Sequence, residues 1–199
     1  MELMRSARYA RYNPYFTMLM LGLTGSGILF VVLTSSYAML RNQHTEWQLV
    51  TLPPIFSLST LLILLSSITL HAANKSVAQE DYVAYRNRIG ATFFLGLGFM
   101  VAQLVGWYLL DTSGVHLQGV VAGSFLYILS GLHVAHILLG LVVLYFAYSD
   151  ARQNATYIDG FIQQLNPVKK ARLRLLTIYW HFVDVLWLYL FFFFYVQQP

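Results

Sequence analysis

Residues 47–74, 89–110 and 112–149 of this chain contain no Asp, Glu, Lys or Arg. Few sequence features restrict a fold more. A water-soluble domain is about a quarter charged, whereas this chain is 10% charged and 58% apolar. Each charge-free stretch exceeds the roughly 20 apolar residues that carry a helix through a bilayer core. A soluble enzyme, a nucleic-acid module and a disordered chain are therefore excluded. A transmembrane barrel is excluded too, because its strands alternate polar and apolar residues over short segments. With no cysteine in the chain, disulfides, Cys-ligated zinc, iron–sulfur clusters and thiol catalysis are ruled out.

The pattern predicts an all-α, polytopic membrane protein, a single domain over 1–199 with five spans at about 16–40, 50–71, 89–110, 119–148 and 175–196. The fourth is long enough to tilt or to project beyond the membrane. The first is longer than the apolar region of a signal peptide and reads as a retained helix. Pro53-Pro54 suits the first turn of the second helix, where a missing N–H costs little. Tyr15, Trp47, Trp107, Tyr108, Tyr145 and Tyr148 fall near predicted span ends, where aromatic rings favour the interface.

Five spans place the N-terminal tail and the second-to-third and fourth-to-fifth connections on one side. Arg5, Arg8 and Arg11, then Lys75, Arg86 and Arg88, then Arg152, Lys169, Lys170, Arg172 and Arg174 lie there. Only Arg41 lies opposite. By the positive-inside rule the N-terminus is cytoplasmic and the C-terminus periplasmic.

Ionisable groups inside a bilayer are costly, which makes them candidates for function. Asp184 is the one acid inside a predicted span; His133, His136 and His181 accompany it, with His71 at a helix end. His181 and Asp184 are three apart and share a helix face. The pair reads either as a proton relay or lipid-headgroup site, or as a satisfied polar pair joining two helices. His133 and His136 read either as interhelical hydrogen-bonding groups or as haem ligands. In the second case each needs a partner imidazole from another helix, such as His71 or His181.

Gly25-Ser26-Gly27 reads as helix packing or as an intramembrane serine nucleophile with a histidine base. Gly22/Ser26 and Gly119/Gly123 have the spacing of close helix contacts. The run from Phe191 to Tyr195 reads as a lipid-facing or interfacial surface.

The segment Tyr179-Trp180-His181-Phe182-Val183-Asp184-Val185-Leu186-Trp187 resembles the W-H-F-[VL]-D-V-[VL]-W signature of subunit III of the haem–copper terminal oxidases. Gly131-Leu132-His133-Val134-Ala135-His136, with Gly140 beyond it, resembles that family's G-x-H-x-x-H segment. Leu52-Pro53-Pro54 leading to Ser66-Ser67-Ile68-Thr69 is a weaker echo. The matches keep the family's order on the second, fourth and fifth spans. They resemble the short, five-helix bacterial form.

The resemblance implies a subunit of a proton-pumping terminal oxidase of aerobic respiration, multi-pass in the bacterial inner membrane and without catalytic, cofactor-binding or metal residues of its own. Haem and copper are expected in partner subunits. Subunit I is the direct partner, with subunits II and IV further partners, a respiratory supercomplex a larger setting, and no nucleic acid. Structural phospholipid, helix packing and support of proton uptake complete the implied role. His181, Asp184, His133, His136, Trp180 and Trp187 become structural, lipid-contact or subunit-contact residues. The chain departs from the family where acids are usual: by local alignment these positions hold Ser26, and Gly106 shortly after Gln103. The roles attached to those acids do not transfer. Alternatives are a di-haem b-type membrane cytochrome, a quinol-oxidising rather than cytochrome c-oxidising complex, and a transporter or intramembrane hydrolase.

Overall fold

The computed structural model describes residues 14–43, 47, 50–153 and 167–198; Arg5, Arg8 and Arg11 lie outside them. The long apolar runs close their backbone hydrogen bonds internally, as segments surrounded by hydrocarbon must. They form α1 (Pro14–Gln43), α2 (Ile55–Ala78), α3 (Tyr82–Thr112), α4 (Val121–Gln153) and α5 (Pro167–Val196). All five are long and apolar enough to cross a membrane.

The helices outrun the apolar spans because hydropathy marks only the hydrocarbon-crossing part. α3 starts at Tyr82 because Asp81 caps it, its Oδ1 accepting the Ala84 N–H at 2.9 Å. α5 begins in the basic segment 167–174, whose Lys and Arg are good helix formers. The proline pair sits one step earlier than expected. Pro54 is the N-cap of α2, and the Pro53 carbonyl accepts from the Phe56 N–H at 3.1 Å.

Two tight reversals use the same device. After α3, Gly114 takes φ +84° and the Val115 N–H returns to the Leu110 carbonyl. After α2, the Asp81 N–H returns to the Ser76 carbonyl, with Glu80 in the left-handed slot at φ +59°. Glycine fills that slot without strain, glutamate does not.

Contacts at the ends fix the antiparallel order of α2 to α5. Arg88 at the start of α3 donates to the Ala72 carbonyl and to Ser76 Oγ at the end of α2. The Tyr148 ring late in α4 lies against Gly90 early in α3. Lys169 at the start of α5 pairs with Asp150 of α4 at 2.8 Å. The basic residues 75, 86, 88, 152, 169, 170, 172 and 174 thus share one end of the bundle.

Between the ends runs a core with Ile63, Phe99, Leu129, Ile137, Val183 and Leu190 buried. The outward faces carry Leu61, Ile68, Leu104, Leu139, Val185 and Phe192, all well exposed. Apolar groups on that outer surface suit a lipid solvent.

Candidate functional site

Trp180 and Trp187 are seven residues apart, two turns along one face of α5. Both side chains point into the bundle and are buried. The Trp180 ring enters a slot made by two glycines of neighbouring helices. A Cβ on Gly96 of α3 would lie 3.0 Å from the ring, and one on Gly140 of α4 2.9 Å from it. Its Nε1 donates to Ser66 Oγ of α2 at 3.0 Å. One side chain therefore ties four helices together.

Trp187 repeats the arrangement two turns on. Its Nε1 donates to Thr60 Oγ1 at 2.9 Å. Its ring meets Phe99 edge-on at 5.0 Å between centroids, stacks on Phe56 at 6.2 Å, and lies over His133 at 5.1 Å. Such aromatic pairs add specificity to burial.

The polar partners of this core come from α2, which offers hydroxyls along its whole length. Ser59 accepts from Gln103 Nε2 at 2.9 Å, and Thr69 meets Thr92 at 2.9 Å. Ser67 meets His181 Nδ1 at 2.8 Å. Asn74 donates to Thr177 at 2.9 Å. Ser59, Thr69 and Asn74 also bond backbone carbonyls of α2 itself. Residue types on α2 hinted at this ladder through Ser66-Ser67-Ile68-Thr69; its extension to Ser59, Thr60 and Asn74 needed the fold.

His181 and Asp184 do lie together, but not as a direct hydrogen bond. His181 Nδ1 binds Ser67 and stands 3.6 Å from Asp184 Oδ2. The His181 side chain is 38% exposed on the outer face, while that of Asp184 is 5% exposed. Among the described residues neither carboxyl oxygen of Asp184 has a hydrogen-bond partner, and neither has either nitrogen of His133. His133 is fully enclosed between Phe99 and Trp187.

His136 does something different. Its Nδ1 lies 2.7 Å from the Leu132 carbonyl, an acceptor, so Nδ1 carries the proton. Nε2 is then a lone pair, and Ser26 Oγ at 2.9 Å donates to it. A serine donating to a histidine is half of a nucleophilic site. The other half is missing from the backbone here: Ser26 sits mid-way along α1, whose neighbouring N–H groups are committed to helical bonds. Among the described residues, the helical backbone around Ser26 offers no free N–H pair to a developing oxyanion. The contact joins α1 to α4. Among the described residues no group of three or more His, Cys, Asp or Glu side chains is placed to hold a metal.

Three expectations change. Gly22, half of the Gly22/Ser26 pair, meets nothing within 4 Å among the described residues. Spacing puts two residues on one face without saying that the face is covered. Gly123 does approach a neighbour, but the contact is Val115 of the preceding turn, 2.7 Å from where a Cβ would stand. The glycines that admit neighbouring helices or rings are Gly90, Gly96, Gly106 and Gly140. The run 191–195 is also split: Phe192 and Tyr195 face outward, while Phe193 and Phe194 turn inward onto Tyr37 of α1.

Gly106, where the family resemblance leads one to expect an acid, has no room for one. A Cβ there would stand 2.9 Å from the Phe56 ring. Gln103, one turn earlier, supplies the polar contact to α2 instead.

Comparison with known proteins adds a second line. Residues 23–198 match the sequence model of a family described as cytochrome c oxidase subunit III. The cytochrome c oxidase subunit 3 of Thermostichus vulcanus is 26% identical over 92% of this chain and 88% of its own length. That of Bacillus subtilis is 28% identical over 85% of this chain and 79% of its length. That of Corynebacterium diphtheriae is 29% identical over 66% of this chain and 60% of its length.

Proposed function

Because the chain belongs to the cytochrome c oxidase subunit III family, a non-catalytic subunit of a larger haem–copper oxidase, we propose that it works by packing against subunit I, retaining phospholipid and supporting proton uptake. The proposed setting is a proton-pumping oxidase of the cytochrome c type in the bacterial inner membrane, with subunits II and IV nearby. The basic end of the bundle faces the cytoplasm in this reading, following the positive-inside rule.

The observation that carries the reading is how the signature segment is used. Trp180 and Trp187 spend their rings and N–H groups on Gly96, Gly140, Ser66 and Thr60. Those are packing contacts between helices. His181 is left half-exposed on the outer face of α5, bonded to Ser67 and beside Asp184. A polar group there, amid Val185 and Ile68, suits contact with a partner helix or a lipid headgroup better than bare hydrocarbon.

The test is purification of the oxidase complex carrying His181→Ala or Asp184→Ala. The expected outcome is weaker retention of this subunit or a shorter catalytic lifetime, with the haem spectra of the remaining enzyme unchanged. Full retention and unaltered turnover stability in both variants would refute it. A stoichiometric b-type difference spectrum on the isolated chain would instead favour the di-haem cytochrome.

A further inference from the structure

The middle of the bundle holds polar atoms that the indole packing does not use. Gln103 of α3 and His133 of α4 are both 0% exposed. Among the described residues, Gln103 Oε1 and both nitrogens of His133 have no hydrogen-bond partner. A bare polar group is expensive in apolar surroundings, so each such atom calls for a partner.

The orientation of the Gln103 amide follows from its neighbour. Ser59 has one proton and gives it to the Phe56 carbonyl at 2.8 Å. Its oxygen can only accept from Gln103, so Nε2 faces Ser59 at 2.9 Å and Oε1 is left as an acceptor. Ser130 of α4 is in a similar condition. Its Oγ donates to the Leu126 carbonyl at 2.6 Å and receives the Trp107 N–H at 3.0 Å, which leaves one lone pair.

Contacts between α3 and α4 bring these groups to one level. Phe99 and Trp107 lie one turn before and one turn after Gln103 on the same face of α3. The Phe99 ring meets His133 at 5.7 Å between centroids, and Trp107 reaches Ser130, one turn before His133 on α4. Gln103 therefore stands opposite the turn from Ser130 to His133. A neutral imidazole has a single N–H, and two acceptors face it. Side chains alone cannot match that set, whereas a water supplies two protons and takes one. Buried waters make about three hydrogen bonds to groups of this kind.

We propose that one water molecule is bound in the interior of the bundle, accepting from the His133 N–H and donating to Gln103 Oε1 and Ser130 Oγ. It joins α3 to α4 at the depth where Trp187 of α5 covers the His133 ring. A bridge of this sort is nearly as favourable as a direct hydrogen bond.

The test is X-ray radiolytic footprinting of the membrane complex that contains this chain, held in nanodiscs. Radicals formed from a bound water oxidise the enclosed side chains that lie against it. His133 and Trp187 should take up oxygen, while Trp180, enclosed in its tight glycine slot, should not. Gln103→Met keeps the length of the side chain and removes the acceptor, and the label at His133 should be lost. Should that variant fail to assemble, cryo-electron microscopy of the wild-type complex gives a second measurement. It should show density for a water within hydrogen-bond reach of His133, Gln103 and Ser130. A silent His133 in the wild type, a label shared equally by Trp180, or one undiminished by Gln103→Met overturns the proposal. Density showing Gln103 Oε1 bonded directly to His133 overturns it as well.

Discussion

α1 and the bundle of α2 to α5 are alike in apolarity and unlike in attachment. Every helix from α2 to α5 contributes to the indole core, and polar rungs join α2 to α3 and α5 from Ser59 to Ser76. α1 buries only Leu23, Phe30, Thr34 and Tyr37, and nothing before Leu23. It is held by Ser26 on His136, by Thr34 on Tyr189 at 2.6 Å, and by a ring cluster around Tyr37. The difference shows what drives association where lipid is as apolar as leucine. Small residues that admit a large ring, and polar groups that find partners, decide which helices pack.

The largest effect expected from that contrast is at Trp180. Trp180→Ala empties the slot between Gly96 and Gly140 and leaves Ser66 without its donor. Cavity creation by such a change costs about 3–5 kcal/mol. Denaturant titration in detergent should show it as an early loss of the α2–α5 bundle. Met18→Ala on the open half of α1, 71% exposed, should leave the midpoint unmoved. A comparable loss at both positions would erase the distinction between the two regions.

The glycine seats give the next test, from the opposite direction. At Gly96, an added methyl would lie 2.8 Å from Leu141 and 3.0 Å from Trp180. Gly96→Ala should cost about 1–3 kcal/mol by overpacking. Gly22→Ala, with open space around it, should be neutral or slightly stabilising through helix propensity. The same titration reads both.

A smaller effect tests the polar rungs. Thr60→Val keeps the shape and removes the acceptor of the Trp187 N–H. Interhelical hydrogen bonds in membrane proteins are worth about 0.6 kcal/mol on average, up to about 1.7. A double-mutant cycle with Trp187→Phe should return a coupling in that range. A coupling of zero would mean that the rungs contribute no stability.

How much of this was legible beforehand differs between the same two regions. The charge-free runs predict five membrane helices, and the structure has five long apolar helices. The signature segment singles out Trp180, His181, Asp184 and Trp187, and three of these are buried in the core. Their partners were mostly hidden. Gly96, Ser59 and Thr60 belong to no motif, because what selects them is the shape of a ring arriving from a helix far along the chain. α1 is free of charge throughout its predicted span, so hydropathy cannot show that one half is packed and the other open. Its Gly22/Ser26 spacing suggested contact at both residues, and only Ser26 makes a polar one. His181 and Asp184 share a face and stand 3.6 Å apart, within ion-pair reach, while the hydrogen bond of His181 Nδ1 goes to Ser67, because α2 brings a hydroxyl within reach of the ring.

Ser26→Ala carries the smallest expected effect and the sharpest discrimination. The Leu132 carbonyl keeps the proton on Nδ1 of His136, so losing the Ser26 hydroxyl leaves Nε2 as an unmatched acceptor. The imidazole cannot recover by switching tautomer without abandoning Leu132. The cost, of about 0.6 kcal/mol, falls on the α1–α4 contact alone. Trp180 and its seats do not touch Ser26, so global stability should hardly move. Hydrogen exchange should then quicken along α1 from Pro14 to Ser26 while amides of α2 to α5 keep their protection. A rise shared equally by all five helices would show that α1 is structurally integral to the bundle.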